Sequence, residues 1–81
     1  MTITTGCVVK AKAGRDKDSF FVVLCTEDGY AFIADGRRRK VESPKKKKLI
    51  HLQATNTILN ETMDTNRKIR NALRDFSEST L

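Results

Sequence analysis

The sequence predicts a mainly β protein, with a small five-stranded barrel followed by one C-terminal α-helix. Short runs of β-branched and aromatic residues, two Asp-Gly pairs, and an amphipathic periodicity confined to the last third of the chain indicate this class. A chain of 81 residues forms one domain with a small core. We therefore expect residues 1–55 to form the barrel and residues 56–81 a C-terminal extension packed on the same domain.

The first three strands follow from the apolar runs. Residues 6–12 interleave Val and Cys with Lys, as in a half-buried strand, and residues 13–18 contain a glycine and no apolar bulk, which predicts a turn. Residues 19–26 are an almost continuous apolar run, typical of a central strand. Asp28-Gly29 then matches a two-residue type I′ turn, so residues 30–34 should return beside this strand.

The second Asp-Gly pair, at 35 and 36, predicts a further hairpin with a strand over residues 37–42. Alternate arginine side chains of that strand would point to one face. Ser43-Pro44 should end the ladder, the lysine run that follows should form a loop, and residues 49–52 offer the last strand. Closing five short strands into a barrel would remove the exposed sheet edges.

One helix is predicted at about residues 65–76. Ile69, Leu73 and Phe76 recur at spacings of four and three, which places them on one helical face. Asp64 or Thr65 should cap its start, and residues 77–81 should form a frayed tail.

No pattern of residues predicts catalysis, a metal site or a cofactor. Cys7 and Cys25 lie in apolar runs without Cys-x-x-Cys spacing, so we expect both to be reduced core residues. His51 is the only histidine, and neither an orienting partner nor a nucleophile can be placed beside it. A secretion leader and an 18-residue apolar run are both missing, which favours the cytoplasm and no membrane contact.

The charge distribution indicates a polyanionic partner. The net charge is +6: residues 1–53 carry 12 Lys and Arg against 6 Asp and Glu, while residues 54–81 carry 4 against 4. Such a local excess attracts nucleic acid, the abundant polyanion of the cytoplasm, ahead of acidic proteins or anionic lipids.

The first strand and the loop after it contain five residues at a recognisable spacing: Gly6, Val9, Gly14, Asp16 and Lys17. In this register they resemble the KOW motif of ribosomal and transcription-elongation proteins. Asp18 departs from it, since the family usually has a glycine there, but Asp tolerates left-handed backbone better than most residues.

The resemblance covers roughly residues 4–53. Residues 34–36, 45–49 and 51–52 look like the body of short bacterial KOW proteins related to a large-subunit ribosomal protein of archaea and eukaryotes. Residues 67–70, with Ala72 and Leu73, look like their terminal helix. The resemblance implies a KOW-type SH3-like barrel, RNA binding and a link to translation.

Three basic clusters are the candidate RNA-binding residues. A phosphate backbone is recognised by many fixed positive charges acting together, and glycine allows close approach of the main chain. The candidates are Lys10, Lys12, Gly14, Arg15 and Lys17 at the motif loop; Arg37, Arg38, Arg39 and Lys40; Lys45, Lys46, Lys47 and Lys48; and His51, which alternation would place on the surface beside the lysines. Among the aromatic residues, Phe20, Phe21 and Phe32 are expected in the core, and Tyr30 is the best candidate for base stacking.

The sequence thus predicts a monomeric, cytoplasmic protein that binds structured RNA, with ribosomal RNA and ribosomal or other translation proteins as candidate partners. Two alternatives stay open. One is a module associated with DNA or transcription, because positive charge does not separate the two nucleic acids. The other is a protein-interaction module, because SH3-like barrels also bind peptides.

Overall fold

Residues 3–79, which the computed structural model describes, form five antiparallel strands in one sheet and a single C-terminal helix. This confirms the predicted mainly β class. The elements are β1 (Cys7–Ala11), β2 (Phe20–Glu27), β3 (Tyr30–Ala34), β4 (Lys45–Lys48), a 3-10 turn (Leu49–His51), β5 (Leu52–Ile58) and α1 (Asn66–Ser79).

The β2–β3 hairpin has the predicted two-residue turn. Asp28 and Gly29 have φ angles of 45° and 83°, the left-handed values that a type I′ turn requires at both positions. Glu27 pairs with Tyr30 directly beside the turn. The Asp-Gly signal therefore placed this hairpin correctly.

The sheet has the strand order β4-β3-β2-β1-β5, so β4 and β5 lie at opposite edges. These two edge strands are nevertheless consecutive in the chain, joined only by the 3-10 turn Leu49–His51. The sheet must therefore curl strongly to bring its edges together. Closure into a complete barrel stays a prediction.

The predicted strand over residues 37–42 is wrong, because residues 35–44 form a loop. The Asp35 carboxylate accepts hydrogen bonds from the backbone N–H groups of Arg37 and Arg39 at 2.8 and 2.9 Å. The N–H groups of Asp35 and Gly36 both donate to the Arg39 carbonyl. Hydrogen bonds within the loop thus occupy backbone groups that would otherwise pair with a neighbouring strand. The arginine side chains therefore do not alternate between two faces of a strand.

The lysine run, expected as a loop, forms the edge strand β4. Its residues pair in antiparallel register with β3, from Tyr30 opposite Lys48 to Ile33 opposite Lys45. Exposed lysines are compatible with an edge strand, where they discourage pairing with other chains. The last strand starts at Leu52 rather than at residue 49, because residues 49–51 turn the chain from one sheet edge to the other.

Alternation along the strands builds two buried layers. Phe21, Val23 and Ile33 lie within the concave side of the sheet together with residues of β1 and Leu52. On the opposite side, Val22 packs with residues of β3 and α1. Residues 21–23 of β2 are therefore buried on both faces, which explains the apolar sequence of that part of the strand.

Helix α1 packs on the outer side of the sheet through the predicted stripe. Ile69 is fully buried against Val22 and Ala34, and Leu73 packs beside them. Gly36, with φ 78°, lies so close to α1 that an added Cβ would come within 2.5 Å of the Asn66 carbonyl oxygen. The close approach requires a glycine.

The start of α1 is capped by Thr65, one of the two predicted residues. Its hydroxyl accepts a hydrogen bond from the Lys68 N–H at 3.2 Å. The hydrogen bond and positive charge of the Lys68 ammonium lower the pKa of the exposed Asp64 carboxyl from its ordinary value. The helix continues through residue 79, past its predicted end at 76, so residues 77–79 are not a frayed tail; residues 80 and 81 lie outside the described part.

Three residues expected in the core prove to be more exposed. Cys7 is 1% exposed as predicted, but Cys25 is exposed on the part of the outer face that α1 does not cover. Phe20 is 37% exposed and packs against the ring of Phe76, and Phe32 is only partly buried. Within residues 3–79, no helix has the length and apolar content to cross a membrane.

Candidate nucleic-acid interface

The motif loop, residues 12–18, is a tight connection between β1 and β2. Gly14 and Asp18 adopt left-handed backbone with φ of 83° and 71°. The Asp18 N–H donates to the Ala11 carbonyl at 2.8 Å, which closes the loop. Aspartate thus accepts the conformation at the position where the KOW motif usually has glycine.

The arginine loop, residues 35–40, is tied to the motif loop by an ion pair. Arg39 Nη2 donates to Asp16 Oδ2 at 3.0 Å, and the Asp16 side chain is only 5% exposed. Arg39 Nε is buried and lacks a hydrogen-bond partner among the described residues. Arg39 was predicted to contact RNA, but its guanidinium is committed to holding these two loops together.

Strand β4 contacts the motif loop from the other side. Lys47 Nζ donates to the Ala13 carbonyl at 2.8 Å. The Lys12 N–H donates to the His51 carbonyl at 2.8 Å, so the partly buried His51 also lies at this end of the sheet. His51 lies in the 3-10 turn rather than in a strand, so the strand alternation from which its surface position was predicted does not apply.

These contacts bring the three predicted clusters together around the motif loop. Within residues 3–79, nine of the predicted cations are exposed and form no ion pair. Lys46 and Lys48 lie on the outer face of β4, and the other seven are Lys12, Arg15, Lys17, Arg37, Arg38, Lys40 and Lys45. Lys10 is partly engaged, with its ammonium 3.6 Å from the Asp18 carboxylate. The arrangement concentrates uncompensated positive charge in the neighbourhood of one loop.

A different surface lies on the outer face of β3 and β4. Lys46 Nζ lies 4.7 Å from the centroid of the Tyr30 ring and 5.8 Å from that of Phe32. Lys48 pairs directly with Tyr30 and therefore extends from the same face. The lysine run thus serves two surfaces, since Lys47 reaches the motif loop from the opposite face of the strand.

Two helix residues that the sequence analysis did not select lie beside the arginine loop. Arg70 Nη1 donates to the Gly36 carbonyl at 2.8 Å, and Arg70, Arg74 and Arg37 line one shallow depression. Arg74 also contacts the Asp75 carboxylate at 3.3 Å. The spacing of four between residues 70 and 74 places them on one side of a helix, but only the docking of α1 shows that this side meets the arginine loop.

Among the described residues, no group of three or more His, Cys, Asp or Glu side chains could hold a metal ion. In comparisons with known proteins, no family model and no curated protein matches the chain. The resemblance to the KOW family therefore stays a prediction, and the function has to be argued from the geometry of the basic surface.

Proposed function

We propose that this protein binds structured RNA, with the phosphate backbone held by the exposed cations around the motif loop, and that it acts by binding rather than by catalysis. The observation that supports this best is the convergence of three basic clusters, which are separated in the sequence, on residues 12–18. Each phosphate that a fixed cation neutralises releases condensed counterions, so cations held close together strengthen binding jointly.

The contacts within the protein favour a surface of fixed shape. The Asp16–Arg39 pair and the Lys47–Ala13 hydrogen bond hold the arginine loop and β4 against the motif loop. The exposed cations are thereby carried on restrained backbone. A restrained surface with few exposed aromatic residues near the motif loop suits the phosphates and 2′-hydroxyls of a folded RNA better than base reading.

The resemblance to KOW proteins is the reason to propose ribosomal RNA as the ligand and the cytoplasm as the location. Cosedimentation of the protein with ribosomal subunits in a low-salt sucrose gradient, with loss from the subunits at high salt, would support that assignment. Recovery only in the free fraction at both salt concentrations would refute it.

The salt dependence of binding to an RNA hairpin tests the phosphate contacts. Replacing Arg37 and Arg38 by Gln should reduce the slope of log affinity against log salt by roughly 1.4 to 1.8 if both contacts are lost. Arg39 is left in place, because it holds Asp16. Fluorescence anisotropy at four or more KCl concentrations gives the slope.

Arg67→Gln is the matched control, because Arg67 is an exposed cation on α1 outside the three clusters. It removes one arginine charge, half of what the double variant removes, and should leave the slope nearly unchanged, whereas either single variant, Arg37→Gln or Arg38→Gln, should reduce the slope by roughly 0.7 to 0.9. Equal slopes for the native protein and for the double variant would refute the assignment of the arginine loop. Tighter binding to duplex DNA than to duplex RNA at matched salt would favour a DNA-associated module, and a partner retained after nuclease treatment and high salt would favour a protein-interaction module.

A further inference from the structure

We propose that the outer face of β3 and β4 binds unpaired bases of single-stranded RNA by stacking on Tyr30 and Phe32. This inference rests on the proposed RNA-binding function and assigns it a second surface, distinct from the cations at the motif loop. It would allow the protein to hold a single-stranded segment next to a folded region.

The two rings are neighbours on one face because of the strand geometry. Tyr30 and Phe32 are two residues apart on β3, so their side chains extend from the same side, while Ala31 and Ile33 point into the core. Ala34 also faces outward but is buried under Ile69 of α1. The helix thus covers one end of the outer face and leaves the two rings partly exposed at the other end.

Lys46 is the side chain that lies over both rings. Its Nζ atom is 4.7 Å from the Tyr30 centroid and 5.8 Å from the Phe32 centroid. Lysine is long and flexible and its cation–π contact is weak at exposed sites, so it can leave the rings and pair with a phosphate. A base can then take its place on the ring faces, as in other surfaces that combine cations with stacking aromatics.

The charges around the rings define the orientation of the strand. Lys46 and Lys48 lie on the β4 side of the rings, whereas Glu27 pairs with Tyr30 from β2 on the other side. Phosphates would be attracted to β4 and repelled from Glu27. We therefore expect the RNA backbone to follow β4, with its bases directed across Tyr30 and Phe32.

Tyrosine fluorescence gives a direct test, because Tyr30 is the only tyrosine and the chain contains no tryptophan. Stacking of a base on the ring quenches its emission. We would titrate the native full-length protein with hexauridylate and, as a matched probe, with an abasic ribose-phosphate hexamer of the same charge. Both titrations would be corrected for absorption by the oligonucleotide.

We expect saturable quenching by hexauridylate and little quenching by the abasic hexamer. Phe32→Leu, read by the same fluorescence, and Tyr30→Leu, read with a labelled hexamer, should each weaken hexauridylate binding by roughly 5- to 150-fold. Both variants should retain affinity for the RNA hairpin. Circular dichroism establishes that they are folded.

Equal quenching by the two hexamers, or unchanged affinity in both leucine variants, would overturn the stacking proposal. If the hairpin still binds with its salt dependence, the phosphate-binding function stands and only the stacking surface fails. If neither the hairpin nor hexauridylate binds, both proposals fail.

Discussion

Replacing Arg39 by Gln should destabilise the protein rather than remove a contact with RNA. The Asp16 side chain is 5% exposed and that of Arg39 is 28% exposed, and their 3.0 Å ion pair joins two loops. Removing one partner of a fully buried pair costs about 3–5 kcal/mol, because the other charge stays buried alone. Because water reaches this pair through the partly exposed side chain of Arg39, we expect Arg39→Gln to lower the free energy of unfolding by about 2–3 kcal/mol.

Such a loss is large for a chain of this size. An 81-residue domain has a free energy of unfolding of roughly 4–12 kcal/mol. The corresponding fall in melting temperature is roughly 8–24 °C. Urea denaturation followed by far-ultraviolet circular dichroism measures the change in unfolding free energy directly.

A double-mutant cycle separates the ion pair from other effects of the substitution. Asp16→Asn removes the buried charge, so the combined variant Asp16→Asn, Arg39→Gln should be more stable than the sum of the two single losses by about 1–2 kcal/mol. Additive losses, within about 0.5 kcal/mol, would refute the reasoning. So would an Arg39→Gln variant as stable as the native protein.

Three further predictions concern the backbone and the helix, and urea denaturation checks the first two. Gly36→Ala should lower the free energy of unfolding by about 3 kcal/mol or more, because the added Cβ would overlap the start of α1. Gly29→Ala is the control: its Cβ meets nothing within 4 Å, so it should cost only the left-handed backbone penalty of about 1–2 kcal/mol. Equal losses in the two variants would contradict the close packing at Gly36. Thr65→Ala should cost about 1 kcal/mol by removing the helix cap, and an unchanged midpoint would show that the cap contributes nothing. Lys68→Gln should raise the pKa of Asp64 towards its ordinary value in a carbon-detected NMR titration. Because the pKa of Asp64 is lowered in the folded state, its favourable pairing is present at neutral pH and is lost as the pH falls through that lowered value.

Local signals predicted the parts of the fold that depend on neighbouring residues. The Asp28-Gly29 turn, the apolar run of β2 and the helical stripe through Ile69 each need only a few adjacent residues to be recognised. Each was placed within a few residues. Thr65 was one of two predicted caps for the same reason.

The errors arose where pairing partners decide the structure. The four lysines of β4 have no apolar alternation, and only their register with β3 makes them a strand. The arginine run follows an Asp-Gly turn signal, but the Asp35 carboxylate accepts hydrogen bonds from the backbone N–H groups of Arg37 and Arg39. These groups are then not available for pairing with a neighbouring strand. Cys25 belongs to an apolar run whose outer face is covered by α1 at Val22 but not at Cys25.

The candidate site was predictable as a set of residues but not as a surface. Its arrangement depends on contacts across 23 residues, from Arg39 to Asp16, and across 34 residues, from Lys47 to Ala13. Periodicity contains no information on such contacts. The same limit hid the structural role of Arg39 and the exposure of Phe32.

The placement of β5 has a consequence for how the chain folds during synthesis. Strands β2 to β4 each pair with the strand before them in the chain, so they can pair in the order in which they are synthesised. Strand β5 instead pairs with β1, which lies about 45 residues earlier in the chain. Closing that distance carries the largest loop entropy in the sheet and should come late. Until residue 58 has left the ribosome, the free edge of β1 is exposed to other nascent strands, so this interval is when the protein is most prone to aggregate.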